Sequence, residues 1–358
     1  MSSLLGLWLA ILVLAQSFSI ATAPYYYDFP RDHAAHDTYR TEWWYYTGHL
    51  QADDGRQVGF ELTFFREALA PGDPPLLAGQ SRWRGNQVYA AHFALSDIGG
   101  QHFFSQQRFS RSGLDFAGAD QRRLAVHLGD WSLRRNADET IFLHAVSAGH
   151  RLDLTLRSEK PLVIHGRGGI TRKGACRSCA SHYYSYTRLA ASGKIALGKS
   201  SFAVRGEAWM DHEYGSSQLE AQQVGWDWFS LQLHDRREVM FYRLRTNRGT
   251  SSPQSSGSLV SPDGHVEALN RSDFPCRVLS GWTSPTTHAT YPSSWQCTLP
   301  KAGLVLTLVP RLLDQELSAP TPGSIPYWEG DVAVLDAQHH EIGTGYVELT
   351  GYAGPLRL

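Results

Sequence analysis

The sequence predicts an all-β protein built as two antiparallel barrel or sandwich domains, and three observations support this fold class. Aromatic residues are abundant, with Trp 11, Tyr 16 and Phe 15, and most fall in short alternating runs that favour barrels able to hold an apolar ligand. Turn signals separate these runs and leave little room for helices. With 358 residues, the chain can form two domains of roughly 150 residues, each with a full core.

The first residues predict an export signal. Leu4–Leu14 is an apolar run, and Ala21–Ala23 matches the small-x-small pattern of a cleavage site. The run is shorter than the roughly 20 apolar residues that a membrane span needs. We therefore expect a signal peptide over residues 1–23, a mature chain that begins at Pro24, and a periplasmic or secreted location. An uncleaved N-terminal anchor is the alternative.

The charge balance and the absence of a serine-nucleophile motif disfavour two classes of function. Lys and Arg total 33 against 34 Asp and Glu, so no basic surface for nucleic acid is indicated. No Gly-x-Ser-x-Gly string supplies a serine nucleophile. His33 and His36 lie in a polar lead-in and are more typical of solvated or capping residues than of a metal site. We therefore expect an apolar small-molecule ligand, no nucleic acid partner and no cofactor.

The body of the chain predicts strands, starting with a hairpin. Trp43–Leu50 and Val58–Phe65 alternate in polarity on either side of a turn signal at Asp54-Gly55. Arg66–Asn86, the longest unpatterned stretch of the first half, predicts a surface loop or lid. The other predicted strands are Val88–Leu95, Leu124–Leu128, Trp131–Leu133, Ile141–Val146, Leu152–Leu156, Tyr183–Leu189, Phe202–Met210, Trp226–Leu233, Val239–Arg245, Leu304–Val309, Val332–Leu335 and Tyr346–Tyr352.

The four cysteines are compatible with two disulfides in an oxidising compartment. Cys276 and Cys297 flank a segment with turn signals, so their strands are expected to lie side by side and the pair to be bonded. Cys176 and Cys179 form a Cys-x-x-Cys, and a local disulfide is the preferred interpretation. A redox site and a zinc site are the alternatives, but a loop and a strand follow where a redox motif needs a helix, and no second Cys-x-x-Cys is present.

One carboxylate lies in a strongly aromatic stretch. Asp211 belongs to the run Gly206–Tyr214, and a second aromatic run, Gly225–Leu233, follows closely. Aromatic surroundings desolvate a carboxyl and keep it protonated, so that it can donate a proton to a carbon–carbon double bond, and the rings can stabilise the resulting cation. The alternative is that Asp211 and Glu213 are edge or turn residues that accept bonds from backbone amides.

Several long aromatic strings are specific enough to indicate a family. They are Phe29–His33, Tyr39–Gly48, Phe60–Arg66, Tyr183–Arg188, Gly206–Gly215, Gly225–Leu233, Tyr327–Gly330 and Gly345–Tyr352. These strings resemble the AttH/carotenoid 1,2-hydratase family of lipocalin-like proteins, over nearly all of the mature chain. The resemblance implies two consecutive lipocalin-like antiparallel β-barrel domains, over residues 24–214 and 215–358, with a ligand site formed by the first barrel and its junction with the second.

The resemblance also implies a catalytic site. The hydratases of this family carry a His-x-aromatic pattern on one strand and an aromatic-x-Asp pattern on a later strand. By resemblance, the first pattern falls here on His182 and Tyr184, and the second falls on Trp209 and Asp211. Asp211 would protonate the alkene, Trp209 and Tyr184 would face the carbocation, and His182 would orient the acid or take the proton of the incoming water. The chain departs from the hydratases at Trp209-Met210, where they carry Tyr-His. The resemblance therefore supports a shared fold more strongly than a shared reaction.

Two functions from different classes follow. One is a hydro-lyase that adds water to an isoprenoid double bond. The other is a non-catalytic periplasmic protein that binds an isoprenoid or acyl lipid and works with an ABC-type export system, since some exported relatives are encoded beside such systems. Further ligand-binding residues are expected at an inward acid and at aromatic positions, namely Glu42, Trp43, Trp44, Tyr186, Trp226 and Trp228. The alternatives are structural hydrogen bonding for Glu42 and core packing for Trp226 and Trp228.

Overall fold

The computed structural model describes residues 17–72, 85–216, 219–318 and 326–356. Within these ranges nearly all regular structure is β, and the helical part consists of 3-10 turns at Arg31–His33, Arg271–Asp273 and Pro300–Ala302. In the part of the chain that the structure describes, no helix has the length and apolarity that a membrane crossing requires. Most of the predicted leader, and residues 73–84 of the predicted lid, lie outside these ranges.

The first of two antiparallel sheets contains thirteen strands. They are β1 (Thr41–Ala52), β2 (Gln57–Ala68), β3 (Gln87–Asp97), β4 (His102–Arg111), β5 (Ala117–Ala119), β6 (Ala125–Leu128), β7 (Trp131–Arg135), β8 (Ile141–Ser147), β9 (His150–Ser158), β10 (Val163–Ile164), β11 (Thr171–Arg172), β12 (Ala180–Leu197) and β13 (Ser200–Gly215). Eleven of them follow the order β4-β3-β2-β1-β13-β12-β9-β8-β7-β6-β5, and β10 and β11 both pair with β12. Because β4 and β6 approach one another, this sheet curls into a nearly closed barrel.

The second sheet contains the remaining ten strands. They are β14 (Gln223–Leu233), β15 (Glu238–Thr246), β16 (Ser256–Val260), β17 (Val266–Asn270), β18 (Cys276–Thr283), β19 (Thr290–Leu299), β20 (Leu304–Pro310), β21 (Glu316–Leu317), β22 (Tyr327–Leu335) and β23 (Glu341–Leu349). Their order is β17-β16-β15-β14-β23-β22-β20-β19-β18, with β21 paired to β22. The first sheet ends at Gly215 and the second begins at Gln223.

Each sheet encloses its own core because side chains alternate between its two faces. In the first sheet the inner face carries Trp44, Tyr46, Phe60, Tyr184 and Met210, among others. The inner face of the second sheet is likewise apolar and includes, in its buried cluster, Phe229, Phe241, Trp295, Trp328 and Val347. The all-β prediction with two lipocalin-like antiparallel units is confirmed.

The outer faces of the two sheets are not left to solvent. Tyr45, Tyr183 and Trp209 project from the first sheet into a shared buried cluster, where they meet Trp228 and Tyr242 from the second sheet. Large aromatic side chains on the outer face of a barrel would otherwise expose an extensive apolar patch. Packing the two outer faces together buries that patch and creates the layer in which the site lies.

Both predicted disulfides are present. Cys276 and Cys297 lie directly opposite each other on β18 and β19 and are bonded, and Cys176 is bonded to Cys179. The hairpin predicted at Asp54-Gly55 is confirmed by the pairing of β1 with β2. Strand β4 was not predicted, because most of its side chains are exposed or half-buried and its sequence therefore lacks an apolar face.

The acidic part of the aromatic run lies inside a strand. Strand β13 continues to Gly215, and it is paired on both sides, with β1 and with β12. Asp211 and Glu213 are therefore central strand residues, and the alternative that placed them in a turn or on a sheet edge is wrong. Residues in a central strand alternate strictly between the two faces of the sheet, which decides what Asp211 can contact.

Candidate functional site

A cavity of about 300 Å³ lies between the outer faces of the two sheets. Its walls combine aromatic rings with several acids. Those that carry the argument below are Trp43, Tyr45, Phe65, Tyr183, Trp226, Trp228 and Tyr242 among the rings, and Glu61, Asp211, Glu213, Glu329 and Glu348 among the acids. A concave, mainly apolar cavity with a few convergent polar groups is the usual form of a small-molecule site.

Asp211 is held in this cavity by three hydrogen bonds. The Tyr183 hydroxyl donates to Oδ2 at 2.5 Å, the Trp209 indole Nε1 donates to Oδ1 at 2.6 Å, and the Ser185 hydroxyl also donates to Oδ1. Trp228 Nε1 donates in turn to the Tyr183 hydroxyl at 3.0 Å. The second sheet therefore helps to position an acid that the first sheet carries.

The protonation of Asp211 follows from its burial. Desolvation penalises the charged carboxylate, and this raises the pKa of Asp211 to about 7, although the bonds from Ser185, Tyr183 and Trp209 act in the opposite direction. The negative charge of Glu213 raises the pKa further. At neutral pH the group is divided between its acid and its carboxylate, which is the range in which a carboxyl both donates and accepts protons efficiently.

A chain of hydrogen bonds extends from Asp211 away from the cavity. Ser185 Oγ lies 2.7 Å from His165 Nε2, and His165 Nδ1 lies 2.8 Å from Ser258 Oγ. Because Ser185 gives its proton to Asp211, His165 must donate through Nε2 and accept through Nδ1. Burial lowers the pKa of His165 to about 3, assisted by the positive charge of Lys173, so the imidazole is neutral and its tautomer is set by this chain.

Two of the predicted catalytic residues lie on the wrong face of the sheet. His182 and Tyr184 point away from Asp211, because on β12 it is Tyr183 and Ser185 that share its face. The Tyr184 hydroxyl instead lies 2.7 Å from Nδ1 of His33 and 2.7 Å from Nδ1 of His212. His182 bonds Tyr39 and the backbone oxygen of Gly169. The predicted convergence on one cavity is therefore wrong for His182 and Tyr184, because they lie on the opposite face of β12 from Tyr183 and Ser185.

The other predicted site residues divide between the two faces in the same way. Trp43, Trp226 and Trp228 line the cavity. Trp209 lies behind Asp211 in the buried cluster between the sheets, so it supports the acid. Trp44 belongs to the core of the first barrel and the half-buried Tyr186 packs against that core, so neither residue lines the cavity.

The hydrogen-bond partners of Glu42 indicate a structural role. Its carboxylate accepts from His36 Nδ1 and His212 Nε2, both at 2.8 Å, and from Arg66 Nε at 3.1 Å. Although burial acts to raise it, the charge of His36 and the hydrogen bonds of His212 and His36 hold the pKa of Glu42 well below its ordinary range. Donor atoms of His36, Glu42 and His212 lie within 4.8 Å of one another, but the Arg66 guanidinium beside them disfavours a metal cation.

Further acids in the cavity had not been predicted. Glu61 lies on β2, and Glu329 and Glu348 lie on neighbouring strands of the second sheet, where they are directly opposite each other. Glu213 is paired with Lys173, whose Nζ lies 3.0 Å from Oε1. Alternation along the Tyr327–Gly330 string could have placed Glu329 on the outer face, but the sequence does not show that this face is covered.

Together, the two sheets packed through their outer faces and the buried acid between them define a lipocalin-like protein with a cavity between its two sheets. The sequence matches the AttH-like family over residues 20–352. The chain belongs to this family, and the resemblance found in the sequence is confirmed. No curated protein matches it in sequence.

Two solved structures share the fold. A Nitrosomonas europaea protein described as an AttH is 31% identical, with a TM-score of 0.84, and the match covers 94% of this chain and 99% of that one. Kievitone hydratase from Nectria haematococca has a TM-score of 0.69, at 13% identity, over 95% of this chain and 97% of that one. The second likeness, at such low identity, shows the fold alone.

Proposed function

We propose that this protein adds water across a carbon–carbon double bond of an isoprenoid ligand bound between its two sheets, with Asp211 as the proton donor. The observation that carries the proposal is a carboxyl that is only 4% exposed, has a pKa of about 7 and lines an aromatic cavity. A hydratase shares the fold, which supports the proposal by analogy.

The chemistry balances with one acid. The π electrons of the alkene take the proton of the Asp211 carboxyl, so that a carbon–hydrogen bond forms and a carbocation and a carboxylate remain. A water oxygen then forms a bond to the cationic carbon, and one proton of that water returns to Asp211. The product is an alcohol, and the acid is restored for the next turnover.

The surroundings of Asp211 suit both halves of this reaction. Trp43, Trp226 and Trp228 border the cavity, and aromatic rings can stabilise a cation through their π systems. Once Asp211 is ionised, the donors on Tyr183, Ser185 and Trp209 stabilise its negative charge. The groups are already oriented, so no rearrangement is needed during the reaction.

Hydration can be tested directly with isotopically labelled water. The purified protein is incubated with a panel of isoprenoid alkenes in ¹⁸O water, and products that have gained labelled water are detected by mass spectrometry. Asp211→Asn preserves shape and removes the proton donor, so we expect loss of at least about 100-fold in turnover with ligand binding nearly unchanged. Glu207→Gln, on the same face of β13 and paired with Arg188 at 2.5 Å, is the matched control and should retain turnover.

The alternative function uses the same cavity without chemistry. A periplasmic lipid carrier that works with an ABC-type export system needs shelter for an apolar chain but no buried acid. If wild-type protein binds isoprenoids and never incorporates label, and Asp211→Asn binds equally well, the hydratase proposal is refuted and the carrier takes its place.

We also propose that the protein acts after export, in the periplasm or outside the cell. Two disulfides are compatible with an oxidising compartment. N-terminal sequencing of the protein from a periplasmic fraction should return a mature chain that begins at Pro24. An intact leader in that fraction would contradict the predicted cleavage.

A further inference from the structure

Two buried acids lie apart from Asp211 and have no part in the proposed hydration. Glu61 on β2 is 1% exposed and Glu329 on β22 is 2% exposed, and both line the cavity. One oxygen of each, Oε2, is buried and has no hydrogen-bond partner among the residues that the structure describes. A buried carboxyl oxygen that lacks a partner loses the free energy of hydration without compensation, so this pair requires an explanation.

The other oxygen of each acid is held by a tyrosine of the opposite sheet. Tyr327, on the second sheet, donates to Glu61 Oε1 at 3.1 Å, and Thr63 donates to the same atom at 3.0 Å. Tyr45, on the first sheet, donates to Glu329 Oε1. This reciprocal arrangement fixes the two carboxyls, and both residues line the same cavity.

Both acids have a raised pKa, so a proton on the pair is favoured and the pair can both donate and accept. Burial raises the pKa of Glu61 to about 7. Burial and the neighbouring charges of Glu61 and Glu348 raise the pKa of Glu329 well above its ordinary value, which favours its protonated form. Because Glu329 Oε1 accepts from Tyr45, its proton is available on Oε2. Glu61 Oε2 remains an acceptor.

The pair lies at a distance from Asp211 that a ligand can span. Asp211 is directly opposite Tyr45, and Tyr45 is directly opposite Thr63. Glu61 is the next residue on the same face as Thr63. Two steps between strands separate Asp211 from Thr63, and Glu61 lies two residues further along β2, so the distance from Asp211 to Glu61 is roughly 12 Å. The rings of Tyr45, Trp228 and Phe65 border the intervening space.

We propose that Glu61 and Glu329 form a subsite that binds a hydroxyl group of the ligand, at the end of the molecule remote from the double bond that Asp211 protonates. A hydroxyl both donates and accepts, so it satisfies Glu61 Oε2 and Glu329 Oε2 together. The ligand class is thus an isoprenoid alcohol. This inference relies on the proposed use of the cavity for an isoprenoid, but it does not depend on catalysis by Asp211.

A series of ligands tests the subsite on the wild-type protein. Geraniol carries its hydroxyl at the end opposite its terminal double bond, geranyl methyl ether can only accept, and geranylamine is cationic at neutral pH. Binding is measured by isothermal titration calorimetry and by quenching of tryptophan fluorescence. We expect geraniol to bind about tenfold or more tightly than the ether, because the ether leaves a buried group unsatisfied. Equal affinities would overturn the proposal, and so would tighter binding of the amine.

Variants locate the preference at the two acids. Glu61→Met and Glu329→Met remove the polar groups at similar length and should abolish the preference for geraniol over the ether. Glu329→Gln keeps a donor and an acceptor and should retain most of it. The matched control is Glu207→Gln, a glutamate that does not line the cavity and is paired with Arg188. A preference that persists in both Met variants would contradict the assignment.

The test also separates this inference from the hydration proposal. Asp211→Asn should keep the full preference for geraniol over the ether while it loses turnover. If no alkene is hydrated but the preference is present and sensitive to Glu329→Met, the subsite stands and hydration fails. If hydration occurs with no such preference, the subsite fails and hydration stands. Thermal denaturation monitors folding, and the wild-type series decides the matter if a Met variant does not fold.

Discussion

At the scale of single residues, burial has a larger effect on the pKa of Asp211 than hydrogen bonding has. Three donors stabilise its carboxylate, yet the pKa is raised to about 7 because the cavity wall removes water from the charged form. Glu42 has the opposite outcome in an equally buried position, since Arg66 and two histidines surround it. Nearby positive charge, more than burial, distinguishes the two acids.

The raised pKa predicts how activity and stability depend on pH. The acid form of Asp211 is the proton donor, so turnover should fall above pH 7, by about tenfold per pH unit. A carboxyl with a raised pKa in the folded state binds its proton more tightly when folded, so its contribution to stability decreases as pH rises from about 4 to about 7. Asp211→Asn lacks this titration, and its melting temperature relative to wild type should increase over that range.

A pH-independent difference between the two melting curves would contradict the raised pKa. The comparison must be made between variant and wild type, because other groups titrate in the same range. Burial lowers the pKa of His92 to about 3, for example, and such a buried neutral histidine reduces stability as pH falls below about 6.5. Subtracting the two curves removes this common background.

Ser185 offers a second test at the residue scale. Its hydroxyl donates to Asp211 and favours the ionised form, so Ser185→Ala should raise the pKa of Asp211 and move the fall in turnover to higher pH by about one unit. The pH–rate profile measures this shift. Thr187→Ala, a buried change two residues beyond Ser185, where the register of β12 shifts, is the control and should leave the profile in place. A shift to lower pH in Ser185→Ala would contradict the assigned bond.

At the scale of elements, the alternation of strands decides which residues can act together. Strand β12 presents Tyr183 and Ser185 to one side and His182 and Tyr184 to the other, and β13 follows the same rule around Asp211. A one-residue displacement of a pattern therefore exchanges every side chain between the cavity and the barrel interior. Both faces of this hairpin are buried and aromatic, so hydrophobicity does not reveal the correct register.

The disulfide between β18 and β19 gives a prediction at this scale. It closes a segment with a sequence separation of 21, whereas the Cys176–Cys179 bond spans a separation of only 3. Replacing Cys276 and Cys297 by alanine should lower the free energy of unfolding by about 2–4 kcal/mol, because the longer loop restricts the unfolded chain more. Urea denaturation measures the loss. The same replacement of Cys176 and Cys179 is the comparison, and an equal or larger loss there would contradict this argument.

At the scale of the whole molecule, the two sheets are joined through their acids as well as their rings. Glu61 accepts from Tyr327 and Glu329 accepts from Tyr45, so each sheet satisfies a buried carboxyl of the other. Neither hydrogen bond can form within a single sheet. The geometry of the cavity is therefore a property of the assembled pair.

Removing these hydroxyls should weaken the whole molecule. Tyr45→Phe leaves Glu329 Oε1 without its donor, at a cost of about 1–3 kcal/mol in the free energy of unfolding. Tyr327→Phe removes one of the two donors to Glu61 Oε1, since Thr63 remains, and should cost about 0.5–1.5 kcal/mol. Denaturation in urea checks this. Tyr26→Phe, at a side chain that is 85% exposed, should change the free energy by less than about 0.5 kcal/mol. Losses at the two buried sites no larger than this control would show that the sheets are joined by apolar packing alone.

Much of the architecture was determined by the sequence alone. Alternating runs bounded by turn residues predicted most strands, Asp54-Gly55 predicted a hairpin, and the turn signals between Cys276 and Cys297 predicted their pairing. These features are local, because each depends on residues that are neighbours in the chain or in one hairpin. The aromatic residues around Asp211 in the sequence likewise predicted a buried acid.

Only the tertiary structure decided which residues surround that acid. The partners of Asp211 include Trp228 acting through Tyr183, and Glu61 and Glu329 become a pair only when the outer faces of the two sheets meet. A single strand shows which residues share a face, but it does not show whether that face looks into a barrel, into solvent or onto another sheet. Here both faces are buried for different reasons, and the packing of one sheet against the other determines which of them forms the site.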